Sequence, residues 1–208
     1  MAEISSREPR RRQKRGLKAE QKILEAAEAL LCEGGFDAAQ ISRIVEVSGV
    51  SNGSFYHHFG SKEAVVRRMI ARYCDKAKSM FSGLELAGLA YDEAIFRAVC
   101  TMICLFEENP ELYRTMGARV KAEPDIWEPL RGLRGEFELK LLTEIGPMLS
   151  DRGIPDPELA ISTMMQSVLA IGTHNILFSS GPIRLYDSHS RDQLVRIAKA
   201  VLELEKRS

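Results

Sequence analysis

The chain has 208 residues, of which 45% are hydrophobic and 28% are charged, and its formal net charge is zero. This composition is typical of a globular protein with one domain or two small ones. No apolar run reaches the roughly 18 to 20 residues of a membrane-spanning helix. The four cysteines lack framework spacing, and the basic N-terminus precedes an amphipathic stretch, unlike a signal peptide. We therefore expect a cytoplasmic protein with reduced thiols.

The zero net charge conceals an uneven distribution. Residues 1 to 18 carry seven basic and two acidic side chains, a local balance of +5, so the remaining chain has a balance of −5. Residues 1–16 also lack hydrophobic periodicity, and we expect a basic disordered arm there. Arg11, Arg12 and Arg15 are its candidates for contacts with an anionic partner such as DNA. A solubilising tail without a partner is the alternative.

Helical periodicity begins at about residue 17. The first predicted helix, residues 17–33, ends at the glycine pair 34–35, because glycine readily adopts the left-handed conformation of a helix terminus. A second helix is predicted over residues 41–48, and a very short third helix lies between the caps Ser51 and Ser61. Three helices, the last two joined by a glycine-containing turn, predict a helix-turn-helix unit. The apolar stripe of the first helix contains Ile23, Leu24, Ala27, Leu30 and Leu31.

The rest of the chain is also predicted to be helical. A long helix runs from Lys62 to about Phe81, and proline and glycine separate the segments that follow it. No strand alternation and no internal repeat are present in the sequence. The expected fold is therefore all-α with about nine helices. The later segments cover residues 91–107, 110–121, 125–152, 157–179 and 190–205.

The third predicted helix has a surface suited to the DNA major groove. Phe55 and Phe59 lie four residues apart and can anchor one face, while the other faces carry short polar and aromatic polar groups. Gly53 allows close approach of the backbone. Tyr56 and other polar groups can reach phosphates, and the capped helix ends attract them. The candidate DNA contacts here are Arg43, Ser51, Asn52, Gly53, Ser54, Tyr56, His57 and Lys62.

Several of these segments together resemble the TetR family of bacterial transcriptional regulators. They are residues 23–27 (ILEAA), 34–36 (GGF), Ile44 and 48–63 (SGVSNGSFYHHFGSKE). The resemblance covers about residues 17–64. It departs from the family at residues 39–40, Ala-Gln, where a Thr or Ser pair is usual, so a helix cap worth about 1 kcal/mol is missing. Val45 also replaces the usual smaller alanine.

The resemblance implies a function and a domain organisation. Residues 17–64 would form the DNA-binding domain, and residues 65–208 a helical effector-binding and dimerisation domain. The protein would be a homodimeric repressor that binds a pseudo-palindromic operator in double-stranded DNA. A small hydrophobic or amphipathic effector would displace the helix that begins at Lys62 and so release the DNA. No cofactor, metal or enzymatic activity is predicted.

The resemblance also implies a ligand pocket and a dimer interface in the C-terminal domain. Mostly apolar side chains with a few polar groups suit the pocket. Helical stripes suit the interface, although the same stripes can equally form an intramolecular core. The pocket candidates are Met102, Phe106, Met116, Trp127, Phe137, Met164, Gln166, His174, Asn175 and Phe178. The interface candidates are Met165, Leu169, Gly172, Leu194, Ile197, Ala198, Val201 and Leu202.

Two alternatives remain open from the sequence. The first is a DNA-binding regulator that responds to a protein partner or to cysteine oxidation, since Cys100 and Cys104 share a helix face. The second is a helical enzyme or carrier that uses the C-terminal cavity and keeps the helix-turn-helix as a relic. No serine, cysteine or carboxylate lies in a recognisable nucleophile or metal-ligand pattern, which disfavours the second alternative.

Overall fold

The computed structural model describes residues 7–179, 181–183 and 187–207. Every regular element within these residues is helical, which confirms the predicted all-α fold. A short 3-10 helix, Leu204–Arg207, follows the last α-helix. The α-helices of the described residues are α1 (Arg7–Ala38), α2 (Ile41–Ser48), α3 (Asn52–His58), α4 (Lys62–Gly83), α5 (Tyr91–Glu108), α6 (Pro110–Arg119), α7 (Glu128–Asp151), α8 (Pro157–Phe178) and α9 (Ser188–Leu202).

Helix α1 corrects the prediction of a disordered arm. It begins at Arg7, whereas residues 1–16 were expected to be disordered, and residues 1–6 lie outside the described part of the chain. Residues 7–16 are mostly Arg, Lys, Gln and Glu, which have good helix propensity. They extend a helix whose apolar stripe already forms the nucleus, so each added residue avoids the nucleation cost. The first helix was predicted to end at the glycine pair. The backbone is non-helical there, with Gly35 at φ 70°, but the helix continues beyond this kink to Ala38.

The other helix boundaries follow local capping chemistry. Helix α7 begins at Glu128, three residues later than predicted, and Pro129 lies in its first turn, where proline needs no amide partner. Helix α9 begins at Ser188, two residues earlier than predicted. The side chain of Asp187 caps it by accepting hydrogen bonds from the amides of His189 and Ser190, at 3.3 Å each.

The chain divides into two compact units, Met1–Ala71 and Arg72–Ser208. The division falls inside α4, whereas the predicted domain boundary followed residue 64. In the first unit, α1, α2, α3 and the start of α4 share one apolar core. Arg68 of α4 also forms a 2.7 Å ion pair with Glu20 of α1. The buried members of this core are Ile23, Leu24, Ala26, Ala27, Leu30, Leu31, Ala39, Ile44, Phe55 and Val65.

In the second unit, α8 packs against α5, α6, α7 and α9. Helices α8 and α5 approach each other closely at Gly172, because a Cβ atom there would lie 2.7 Å from Cε2 of Phe106. The segment before α5 is tied to α7 by a 2.7 Å hydrogen bond from the Leu86 amide to Glu144 Oε2. Within the described part of the chain, every helix is too short or too polar to cross a lipid bilayer.

Candidate nucleic-acid interface and ligand cavity

A short turn sets the direction of α3 relative to α2. Gly49 ends α2 in the left-handed conformation, with φ 65°, and its amide donates to the Val45 carbonyl. The hydroxyl of Ser48, which is buried, also donates to that carbonyl, at 3.2 Å. Ser51 then caps α3 as predicted, because its Oγ accepts a 3.2 Å hydrogen bond from the Ser54 amide. These local bonds determine where α3 begins.

One face of α3 is anchored in the core of the first unit. Phe55 is completely buried, and Phe59 packs partly buried against the same cluster with its ring centroid 6.2 Å from that of Phe55. The opposite side is exposed at Asn52, Gly53 and His57. Helix α3 therefore presents a polar surface on a rigid apolar anchor, as the sequence predicted.

Tyr56 is the most prominent side chain on this polar surface. It is 56% exposed, although its ring makes an edge contact with Phe55 at a centroid distance of 5.6 Å. The apolar part of the ring is thus held while the surface of the side chain remains open to a partner. Ser54 is half-buried, and its amide is already used by the Ser51 cap.

The basic candidates differ in their surroundings. Arg43 is exposed but forms a 2.7 Å ion pair with Glu46 of the same helix, which partly neutralises it. Arg15 of α1 is exposed. Arg11 and Arg12 lie in the helical part of α1, but their side chains are outside the described part of the structure.

Lys62 has a structural contact that the sequence did not predict. Its Nζ donates a 3.2 Å hydrogen bond to the Phe36 carbonyl and lies 3.9 Å from the centroid of the Phe36 ring. The predicted phosphate contact of Lys62 stays a prediction, and its ammonium group also has this partner within the protein. Lys62 holds the start of α4 to the residue that follows the kink in α1.

The start of α2 agrees with the departure noted in the sequence. Gln40 occupies the N-cap position but its side chain does not cap the helix. Its Nε2 donates instead to the Asp37 carbonyl at 3.0 Å. Ala39 is buried in the core. The first amides of α2 therefore lack the side-chain acceptor that a Thr or Ser at this position supplies.

The second unit contains an apolar cavity of about 190 Å³. It includes four of the ten predicted pocket residues, Met102, Phe106, Trp127 and Phe137. Sequence reasoning missed most of its wall, because the wall combines one face from each of several helices. The missed lining residues are Tyr73, Phe81, Leu105, Tyr113, Leu130, Arg131, Leu133, Arg134, Met165, Leu169 and Thr173.

The other six predicted pocket residues lie outside this cavity. Met116 and Met164 are fully buried core residues, since helical methionine stripes fill cores as readily as pockets. The Asn175 amide donates to the Ile183 carbonyl and does not line the cavity. The remaining three, Gln166, His174 and Phe178, line an open groove on the surface of the same unit.

A buried tyrosine pair forms the polar part of the cavity wall. The hydroxyl oxygens of Tyr73 and Tyr113 are 2.6 Å apart and share a hydrogen bond. Burial, and next the neighbouring Tyr113, raise the pKa of Tyr73 far above its usual range. Burial raises the pKa of Tyr113 to about 12. Both hydroxyls are therefore neutral at physiological pH and can hydrogen-bond a ligand without adding charge.

Residues 23–69 match the sequence profile of a family described as bacterial regulatory proteins, tetR family. The matched segment contains the second half of α1, all of α2 and α3, and the start of α4. This segment therefore has the sequence of a TetR-type N-terminal domain.

Curated relatives of this chain are also transcriptional regulators. The HTH-type transcriptional repressor AcnR of Corynebacterium glutamicum is 38% identical over 110 residues, which cover 51% of this chain and 50% of AcnR. The HTH-type transcriptional regulator UidR of Escherichia coli K12 is 37% identical over 60 residues, 29% of this chain and 31% of UidR. The chain thus spans between about a third and a half of these relatives' length.

Solved structures show that the TetR-like fold extends over nearly the whole chain. The crystal structure of a protein assigned to the TetR family of transcriptional regulators, from Mesorhizobium loti MAFF303099, aligns with a TM-score of 0.68 and 22% identity. The alignment covers 93% of this chain and 97% of that chain. Salmonella enterica GusR aligns with a TM-score of 0.65 and 22% identity, covering 89% and 95%. At this level of identity the likeness establishes the fold.

The residues predicted for a TetR-like dimer interface divide into two groups. Leu194, Ala198 and Leu202 are completely buried within the protomer. Met165 and Gly172 are also buried, and Leu169 lines the cavity and the groove. The five buried residues belong to the protomer's own core, so the prediction of an interface role is corrected for them, whereas for Leu169 it stays a prediction. Ile197 and Val201 remain partly exposed on α9.

Proposed function

We propose that this TetR-family chain is a transcriptional repressor that binds a pseudo-palindromic operator as a homodimer and is released by a small effector. The observation that carries the proposal is the surface of α3, where Asn52, Tyr56 and His57 are exposed beside the buried anchor Phe55. A helix that presents hydrogen-bonding groups on one side and is fixed on the other suits the major groove.

Gly53 adds independent support for close approach to DNA. Its φ is not positive, and a Cβ added there would meet only Ser51 Oγ at 4.0 Å. Neither the backbone nor the internal packing of the protein requires glycine at this position. Glycine inside a helix costs about 0.5 to 1 kcal/mol relative to alanine. The proposal explains this cost, because a missing side chain lets the α3 backbone approach the DNA.

The exposed faces of α8 and α9 support the homodimer. Gln166, Ala170 and His174 are exposed at helical spacing on α8, and the partly exposed apolar residues Ile197 and Val201 lie on α9. Two such helices from each protomer can form a self-complementary four-helix interface. Repressors of this symmetry read two half-sites of a pseudo-palindrome.

The effector response is proposed to run through α4. Tyr73 and Phe81 of this helix line the cavity, and the same helix begins at Lys62 in the DNA-binding unit. A ligand that enlarges the cavity must displace α4 side chains, and the covalent continuity of the helix carries that displacement to its other end. Thermodynamic linkage then requires that operator DNA weakens effector binding by the same factor.

A gel-shift titration with DNA from the region beside the protein's own gene tests the repressor proposal. We expect a specific complex that a scrambled fragment does not form. In the variant Gly53→Ala, folding stability should increase by up to about 1 kcal/mol while operator affinity falls, because the added methyl group stands between the backbone and the DNA. A variant that binds the operator as well as the wild-type protein would contradict the docking of α3.

The alternative of control by cysteine oxidation named Cys100 and Cys104. Burial raises the pKa of Cys100, so its reactive thiolate form is disfavoured. Gel shifts with and without oxidant distinguish this alternative from effector release. An enzymatic function is likewise not part of the proposal.

A further inference from the structure

The charged side chains that line the cavity are all positive. Among the described residues that line it, the charged side chains are Arg131 and Arg134, and no carboxylate is present. Both arginines lie on α7, three residues apart, so they share one side of the helix. The other lining residues are aliphatic, aromatic or hydroxyl-bearing. The cavity is therefore an apolar chamber with a cationic edge.

The two arginines are partnered very differently. Arg131 forms a 2.5 Å ion pair with Glu128, and the hydrogen bond from Arg131 holds the pKa of Glu128 below its usual range. The Nε of Arg134 is buried and donates no hydrogen bond. Arg134 forms an ion pair with Glu138, but the Oε2 atom of Glu138 is 3.7 Å from this Nε, beyond hydrogen-bonding distance. Buried donors in proteins nearly always have an acceptor, so this one marks a place for an additional group.

Arg134 lies at one side of the cavity, next to the groove on α8. Arg134, Leu169 and Thr173 line both the cavity and the open groove on the same unit. Arg134 therefore lies between the cavity and the groove. Its Nη2 reaches the hydroxyl and carbonyl oxygens of Ser162 only at 3.3 and 3.4 Å, which leaves capacity for a stronger acceptor.

We infer that the effector is an amphipathic carboxylate whose apolar body fills the cavity and whose head group binds Arg134. This inference rests on the proposed function, because it assigns the chemical class of the effector. A carboxylate accepts two parallel hydrogen bonds from the Nε and Nη of a guanidinium group, and so supplies the acceptor that the Nε of Arg134 lacks. The aromatic wall of Phe106, Trp127 and Phe137 accommodates the apolar body.

The single tryptophan of the chain provides the readout, since Trp127 lines the cavity. The full-length protein is titrated with octanoate and with 1-octanol at pH 7 while tryptophan fluorescence is recorded. We expect octanoate to bind at least about tenfold more tightly than the alcohol, because a charge-assisted hydrogen bond contributes about 1.5 kcal/mol or more. Arg134→Met should abolish this preference and leave 1-octanol binding unchanged.

Two further variants serve as controls. Arg134→Lys keeps the charge but loses the bidentate geometry, so it should retain part of the preference for octanoate. Arg97→Met removes an exposed arginine of α5 that pairs with Glu93 outside the cavity, and it should bind like the wild-type protein. Far-ultraviolet circular dichroism confirms that each variant is folded.

Three outcomes would overturn the inference: equal binding of acid and alcohol by the wild-type protein, no fluorescence response to either, or equal loss of both ligands in Arg134→Met. The operator gel shift separates this inference from the proposed function. Arg134-dependent octanoate binding that leaves the DNA complex intact would refute the effector response but not the carboxylate site. Release of DNA by 1-octanol as readily as by octanoate would refute the carboxylate site but not the response.

Discussion

Lys62 joins the start of α4 to the end of α1 through the Phe36 carbonyl and ring. We expect Lys62→Met to lower the free energy of unfolding by about 1 to 2 kcal/mol, since it removes a charge-assisted hydrogen bond and a cation–π contact but keeps the aliphatic stem. Urea unfolding measures this change. Lys22→Met, at an exposed position of α1, is the matched control and should leave stability nearly unchanged. Equal stability of the two variants would show that the Phe36 contact contributes nothing.

Glu144 links the segment before α5 to α7. Its burial raises the pKa, but the hydrogen bonds from Lys140 and from the Leu86 amide outweigh burial and hold the pKa below the usual 4.5. A lowered pKa in the folded state stabilises the protein above the unfolded pKa, and this contribution is lost as the pH falls through the folded value. The stability contributed by Glu144 is therefore present at neutral pH and declines below about pH 4.5.

Glu144→Gln tests this pH dependence. The variant should lose about 1 kcal/mol of stability at pH 7, and its stability should fall less than that of the wild-type protein when the pH drops below 4.5. Urea unfolding at several pH values measures both effects. Glu85→Gln, at an exposed position in the same segment, should follow the wild-type curve. Parallel curves for Glu144→Gln and the wild-type protein would contradict the assignment.

At the scale of elements, the approach of α8 to α5 depends on a missing side chain. Gly172→Ala would place a Cβ 2.7 Å from Phe106 Cε2, so we expect a loss of about 1 to 3 kcal/mol from overpacking. Gly135→Ala, in the middle of α7, meets nothing within 4 Å and should instead stabilise the protein by up to about 1 kcal/mol. If the packing is as described, thermal or urea unfolding will show a lower free energy of unfolding for Gly172→Ala and a higher one for Gly135→Ala. Stabilisation by both would refute the tight contact.

The helices themselves were largely predictable from local chemistry. Helix α2 and its inward-facing Ile44 agree with the hydrophobic period, and Ser51 caps α3 as its position indicated. These features depend on residues within about one helical turn of each other. The predicted start of α1 was wrong, because a charged stretch without an apolar stripe can still extend an existing helix. Periodicity does not detect such an extension.

At the scale of the whole molecule, the proposed homodimer makes a prediction about α8. Ala170 is exposed there, and a charge placed at this position would be buried without a partner in a four-helix interface. Ala170→Glu should therefore shift the protein towards monomer in analytical ultracentrifugation and lower operator affinity at least about tenfold, since only one half-site is then held.

The control for that experiment is Ala118→Glu, which makes the same substitution at an exposed position of α6. It should behave as the wild-type protein in both oligomeric state and operator binding. A dimer that persists in Ala170→Glu would contradict the α8 interface. Monomers with full operator affinity would contradict the coupling of dimerisation to DNA binding.

The sequence by itself determined the helix-turn-helix, because its caps, glycine turn and aromatic anchor act over short distances along the chain. Tertiary structure decided which apolar stripes become core, cavity or exposed face. Leu194 and Ala198 are core, whereas Ile197 between them remains partly exposed. Only the packing brings Tyr73 of α4 together with Arg134 of α7 around one cavity. Periodicity shows that a helix has an apolar face, but the neighbouring helices decide what that face contacts.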